Sequence, residues 1–159
     1  MNENINQKIA RIPFWLWYLI SALLICFDLI FTYFFLNNNS KAMEASPLNA
    51  YFASIFGNNY FLEMVPVVLL LLYGAGKLVG WIIKKYYPKS QIRGENYTMI
   101  VVALLALPNV LFNEILAILF GTKPMLSFRG ALIFGLVLMA LFVTMTEIAD
   151  SKATKNIAK

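Results

Sequence analysis

Histidine is absent from this 159-residue chain, and cysteine occurs once, as Cys26. One thiol cannot close an internal disulfide. Without imidazoles or further thiols, zinc, haem and iron–sulfur centres lack their usual ligands, so no metal site and no cofactor is expected. Cys26 lies within an apolar run, where a thiol packs as a small hydrophobe. The bulky Ile25 before it argues against a processed, lipid-anchored cysteine. Charge is scarce as well: 13% of residues are charged, against roughly a quarter in a soluble domain. No Gly-flanked serine, histidine base or cysteine at a polar position marks a nucleophile, and no catalytic residue is assigned. The net charge of +5 comes from residues scattered between and beside apolar runs. They form no compact basic domain, so nucleic acid is not an expected partner.

What the chain has instead is apolar length. Sixty per cent of its residues are hydrophobic, and four stretches reach the roughly 20 residues that cross a bilayer: about 13–36, 60–83, 97–120 and 126–148. Within lipid a single segment satisfies its own backbone only as a helix. The expected fold is therefore all-α, a single transmembrane domain over 1–159, a four-helix bundle resident in the lipid bilayer. The first stretch follows Lys8 and Arg11 as a signal peptide would. It is too long for such a segment and carries Asp28, which reads as an uncleaved anchor. The ends, 1–9 and 150–159, are polar and expected to be mobile.

Basic residues set the orientation. Lys8, Arg11, Lys84, Lys85, Lys89, Arg93, Lys152, Lys155 and Lys159 fall on one side of the four spans, whereas Lys41, Lys123 and Arg129 fall on the other. Nine against three predicts cytoplasmic termini at the cell membrane, a cytoplasmic middle loop and an external loop over 37–59. Trp15, Trp17, Tyr18, Trp81, Tyr86 and Tyr87 then lie near the inner interface. Lys77, inside the second span, is close enough to its basic end to snorkel.

The external loop carries a helix signal. Ser46 can cap, Pro47 is pre-set at helical φ, and Leu48, Tyr51, Phe52, Ile55 and Phe56 follow at helical spacing. Gly57 and Asn58 can stop the helix. A helix over about 47–56 is too short to span. It either lies along the outer interface or folds back over the bundle, as a simple connector or as a lid.

Small residues mark where helices can approach: Gly76 and Gly80 in the second span, and Ser127, Ala131 and Gly135 in the fourth. The seam could lie within the chain, with a second copy, or with other membrane protein subunits. Pro66 and Pro108 are candidate kink points.

Ionisable groups at membrane depth are the most informative residues. Asp28 sits roughly 12 Å below the outer end of the first span, at 1.5 Å per residue. Thr32 is one turn further out and Ser21 two turns inward, all on one face. Asn109, Asn113 and Glu114 occupy the outer half of the third span. On an α-helix Glu114 would be turned about 100° from Asn113. Arg129 enters at the outer end of the fourth span, Glu63 at that of the second, and Glu44 lies in the loop. One reading is an outward-facing polar pocket for a proton, a cation or a polar head group. The other is adhesion, with Arg129 paired to Glu114 or Asp28 and the amides bonded across helices at about 0.6 kcal/mol each.

Asp28, Thr32, Glu44, Pro47 and Leu48 resemble the pattern of an uncharacterised family of small prokaryotic four-helix membrane proteins. That pattern has an Asp and, four residues on, a Thr in the first helix, then a Glu-x-Asn-Pro-Leu loop. Ser46 stands where the family has Asn. The resemblance covers roughly the first half of the chain and implies architecture, with no activity attached. Three roles remain, in this order: a structural or accessory subunit of a membrane complex; a proton- or cation-responsive protein or small carrier; and a membrane-embedded enzyme using a carboxylate pair.

Overall fold

The computed structural model describes residues 5–38, 47–88, 93–121 and 126–157. The fold is all-α, with four helices long and apolar enough to span a membrane and one short helix between the first two spans. The spans are α2 (Phe14–Asn38), α4 (Tyr60–Tyr86), the composite third span Gly94–Phe120, and α7 (Phe128–Ile157). The composite span consists of α5 (Gly94–Asn109), a π-helical segment Val110–Ile115, and α6 (Leu116–Phe120). The remaining helices are α1 (Ile5–Arg11) and α3 (Pro47–Phe56).

The third span is the hub. It packs on α2, α4 and α7, and α2 also packs on α4, whereas among the described residues α7 leans mainly on α5, with a smaller contact to α1. A third of the third span's apolar stretch is buried, against a sixth or less for each of the others. The outward faces are rows of Leu, Ile, Val and Phe, which need no cover because lipid tails are as apolar as they are. The dry centre is Ala22, Leu72 and Met99, ringed by Phe14, Trp17, Tyr18, Ile25, Leu69 and Val102.

Glycine governs two of the crossings. A Cβ at Gly76 would lie 2.8 Å from the Met99 side chain and 3.0 Å from Phe14. A Cβ at Gly135 would meet backbone, 2.9 Å from the Leu105 Cα and 3.2 Å from the Leu104 carbonyl oxygen. Pro108 lacks the N–H that would otherwise bond the Leu104 carbonyl four residues earlier. The carbonyl that Pro108 leaves without its helical donor is thus one of the groups that Gly135 packs against. The seams seen here lie within the chain: Gly80 abuts Glu95, and Ala131 is buried.

Ser127, expected in a packing seam, caps a helix within this chain. It is exposed, and its Oγ accepts from the Gly130 N–H at 3.1 Å, capping the first turn of α7. The amino-terminal segment also departs from expectation. Ile5–Arg11 is helical, with Asn6 and Ile9 buried. The cause is polar: a short helix leaves carbonyls open at its end, and the third span supplies donors for them. Asn96 Nδ2 donates to the Ile9 and Ile12 carbonyls, each at 2.9 Å, and Arg93 Nη1 donates to the Ala10 carbonyl at 3.1 Å. At the other end of the chain, α7 continues as helix to Ile157.

At the far end, α3 stops at Gly57, whose φ of 77° is the left-handed conformation glycine tolerates. The chain turns directly into α4. Phe52 stacks on Tyr60, with 5.4 Å between ring centroids, and Asn58 Nδ2 donates to Asn37 Oδ1 at 2.9 Å, tying the turn to α2. The capping role read for Ser46 lies outside the described residues.

Candidate functional site

Asp28, Asn109, Asn113 and Glu114 meet where α2 crosses the end of α5. The meeting depends on a local change of helix type. After Pro108 the chain winds as a π-helix, in which residues five apart come round to one side. The Leu116 N–H accordingly bonds the Leu111 carbonyl, five residues back. On a continued α-helix Glu114 would point away from Asn109. Here Asn109 Nδ2 donates to Glu114 Oε1 at 3.0 Å. The broad, splayed cluster expected from α-helical geometry is therefore a compact one.

The same nitrogen of Asn109 also donates to Asp28 Oδ1, at 2.6 Å. One amide group thus spends both of its N–H bonds on two carboxyl groups from different helices. Its own Oδ1 accepts from Asn113 Nδ2 at 2.7 Å. Asn113 in turn pairs with the backbone of Leu126 as a peptide would: Nδ2 donates to the Leu126 carbonyl at 3.0 Å, and Oδ1 accepts from the Leu126 N–H at 2.8 Å.

That last bond fixes the polarity of the whole chain of amides. A backbone N–H can only donate, so Asn113 must present oxygen to it. Its NH2 must then face Asn109 Oδ1, and the Asn109 NH2 must face the acids. Asn113 and Glu114 are buried, Glu114 to 2% exposure, whereas Asp28 and Asn109 remain half-buried.

The other expected members stand apart. Thr32 is half-buried and makes no hydrogen bond among the described residues. Glu44 lies outside the described residues. Arg129 is exposed at the start of α7, and among the described residues it forms no ion pair with Asp28 or Glu114. Glu63 is exposed in the first turn of α4. Ser21, on the Asp28 side of α2, is fully buried; its Oγ lies 2.7 Å from the Met99 carbonyl and 3.1 Å from the Trp17 carbonyl, joining α2 to α5. Among the described residues no group of three or more His, Cys, Asp or Glu side chains could hold a metal ion.

Sequence reasoning missed Leu126, whose contribution is entirely backbone and leaves no trace in residue type. It also missed Glu95. Lys77 Nζ pairs with Glu95 Oε2 at 3.1 Å and lies 4.1 Å from the Phe14 ring centroid, so the lysine read as a solvated anchor is held by an acid and a ring. An acid in the first turn of a helix beside a lysine near the end of its neighbour was the available signal.

Comparison with family models, with curated proteins and with solved structures returned no match. The chain is a small multi-pass membrane protein, all-helical and with four spans among the described residues.

Proposed function

We propose that the protein is a proton- or cation-responsive membrane protein acting through Asp28, Asn109, Asn113 and Glu114. With the termini in the cytoplasm, as the lysine and arginine count favours, this cluster lies in the outer half of the bilayer. The observation that carries the reading is the single Asn109 amide shared between two carboxyl groups at 2.6 and 3.0 Å. Helices can adhere through neutral amides alone. Two carboxyl groups sharing one amide donor at membrane depth favour a site that takes up a proton or a positive charge. The π-helical turn that delivers Glu114 supports the same reading, because such turns recur at functional sites.

The test is the thermal midpoint of the protein in nanodiscs, recorded against pH and against sodium concentration. The wild type shifts with one or both, and Asp28→Asn and Glu114→Gln blunt the shift while remaining folded. Variants that track the wild type throughout would dispose of the reading.

A subunit role comes second. It is favoured by α7, which leans mainly on α5 and leaves Ile133, Val137 and Leu141 facing outward. Co-purification of other polypeptides in mild detergent supports it, and a lone monodisperse monomer removes it. An acid–base enzyme is the third reading. It is supported by the two carboxyl groups that accept from one nitrogen and so lie close together.

A further inference from the structure

The end of the bundle that gathers both chain termini also gathers the positive charge. Counted along the sequence, ten lysines and arginines fall there, Lys77 included, against the four acids Glu3, Glu95, Glu147 and Asp150. That surplus of six exceeds the +5 of the whole chain. Glu95 is already paired with Lys77. Folding brings part of the surplus together. Asn6 and Ile9 are buried, so Lys8 and Arg11, three residues apart on the opposite side of α1, are exposed. Arg93 Nη1 donates to the Ala10 carbonyl, which holds its guanidinium at the Arg11 end of α1. The next residue, Gly94, packs so closely on α4 that a Cβ there would meet the Ile83 side chain and the Val79 carbonyl oxygen. Lys84 and Lys85, exposed in the last turn of α4, follow Ile83 directly. Arg93 therefore stands between the cations of α1 and those of α4.

We infer that this patch binds the head groups of anionic phospholipids. The inference stands apart from the proposed function. It holds for either orientation, because it concerns whichever leaflet meets this end. Depth selects lipid as the occupant. The apolar span of α4 runs to Tyr86, so its last turn lies where the phosphate layer begins. Lys85 Nζ lies 4.8 Å from the Trp81 ring centroid and 5.5 Å from that of Tyr86. Both rings are exposed, and outward aromatics at a span end mark the interface. Charge selects the kind of lipid. Guanidinium forks match phosphate oxygens, and each cation at an anionic leaflet strengthens attraction roughly fivefold. A zwitterionic head group carries its own ammonium beside the phosphate, so net negative charge is what the patch can discriminate.

The experiment is spin-label electron paramagnetic resonance on the full chain in phosphatidylcholine vesicles, with a trace of spin-labelled phosphatidylglycerol or spin-labelled phosphatidylcholine. The motionally restricted fraction measures association with the protein. The anionic label is expected to associate about fivefold more strongly, and high salt removes the difference. Lys84→Gln with Lys85→Gln lowers the preference to about twofold or less. Lys8→Gln with Arg11→Gln does the same, so misfolding of one variant leaves the other as the test. Lys152→Gln with Lys155→Gln is the control. The helix α7 runs past the span end at Thr146 to Ile157, which carries those positions roughly 9–14 Å beyond it, and this variant keeps the preference. Equal association of both labels with the wild type overturns the inference. So does an equal loss in the control variant, which would mean bulk charge rather than a patch. Displacement of the anionic label by inorganic phosphate, where chloride of the same ionic strength leaves it bound, also overturns it and makes soluble phosphate the ligand.

Discussion

Asn96 and Asn109 sit at opposite ends of α5 and use their amides in opposite ways. Asn96 is fully buried and gives both N–H bonds to main-chain carbonyls, those of Ile9 and Ile12. Its partners cannot change charge, and they hold one geometry under any condition. Asn109 gives both of its N–H bonds to carboxyl groups. Its partners can each exist in two states, with a different number of donors in each. One end of the span is thus built to stay as it is. At the other, on the proposed function, a change of charge alters the hydrogen bonding that joins α2 to the composite span.

The contrast breaks most visibly at Asn109. Asn109→Leu leaves Asp28 and Glu114 facing each other across an apolar side chain. We expect a loss of stability of about 3 kcal/mol or more, since two carboxyl groups each lose a donor at about 1–3 kcal/mol per unsatisfied acceptor, read as a fall in the thermal midpoint in detergent. Adding Asp28→Asn to that variant removes a carboxylate and recovers most of the loss. If Asn109→Leu melts with the wild type, the acids have no need of the amide and the two ends do not differ as argued.

Gly135→Ala comes next. The added methyl would lie 2.9 Å from the Leu105 Cα, against backbone that has no rotamer to yield. Overpacking of this kind costs about 1–3 kcal/mol. Because α7 has its main support on α5, the expected effect is a displaced α7, visible as greater solvent exchange along that helix while α2 and α4 keep their protection. Uniform change across all four spans would mean that α7 is not the loosely held element.

How much of this was readable beforehand divides along the same line. The four spans and α3 were legible because length and apolarity are enough to define them: expected bounds of 60–83 and 47–56 compare with Tyr60–Tyr86 and Pro47–Phe56. Asp28, Asn109, Asn113 and Glu114 could be picked out because such residues are rare at membrane depth. Their arrangement could not be read, because the π-helical winding after Pro108 moves Glu114 around the axis and no residue type announces it. The helix α1 was hidden for a related reason. Seven residues with little apolar surface give no periodic signal, and their support comes from Asn96 and Arg93, far away in sequence. The capping bond of Ser127 was not foreseen because small residues serve caps and seams equally well.

The end that stays fixed can be probed through α1. Asn96→Ala deprives the Ile9 and Ile12 carbonyls of their shared donor. The cost expected for leaving buried carbonyls unsatisfied is about 1–3 kcal/mol, and it should fall locally. Arg11 is exposed and close to the freed segment, so limited trypsin treatment is predicted to cut after it faster than in the wild type, with the spans intact. Unchanged cleavage would show that the Arg93 bond to the Ala10 carbonyl and the packing of Asn6 and Ile9 suffice to hold α1.

The smallest effect is expected from the Lys77–Glu95 pair. Its geometry is good, with 3.1 Å between charges and a ring below the ammonium, but the lysine side chain is 43% exposed. Exposed ion pairs contribute about 0–1 kcal/mol, and a cation over a ring at a wet site about 0.5–1 kcal/mol. Lys77→Gln should therefore cost at most about 2 kcal/mol and less in high salt, because screening weakens what remains. A cost equal to that of Asn96→Ala, and insensitive to salt, would carry a structural consequence. It would put Lys77 and Glu95 inside the hydrocarbon rather than at its edge and move the membrane boundary toward Tyr86. Both ends of the third span would then hold acids at depth, and the distinction between Asn96 and Asn109 would no longer be one between a fixed end and a responsive one.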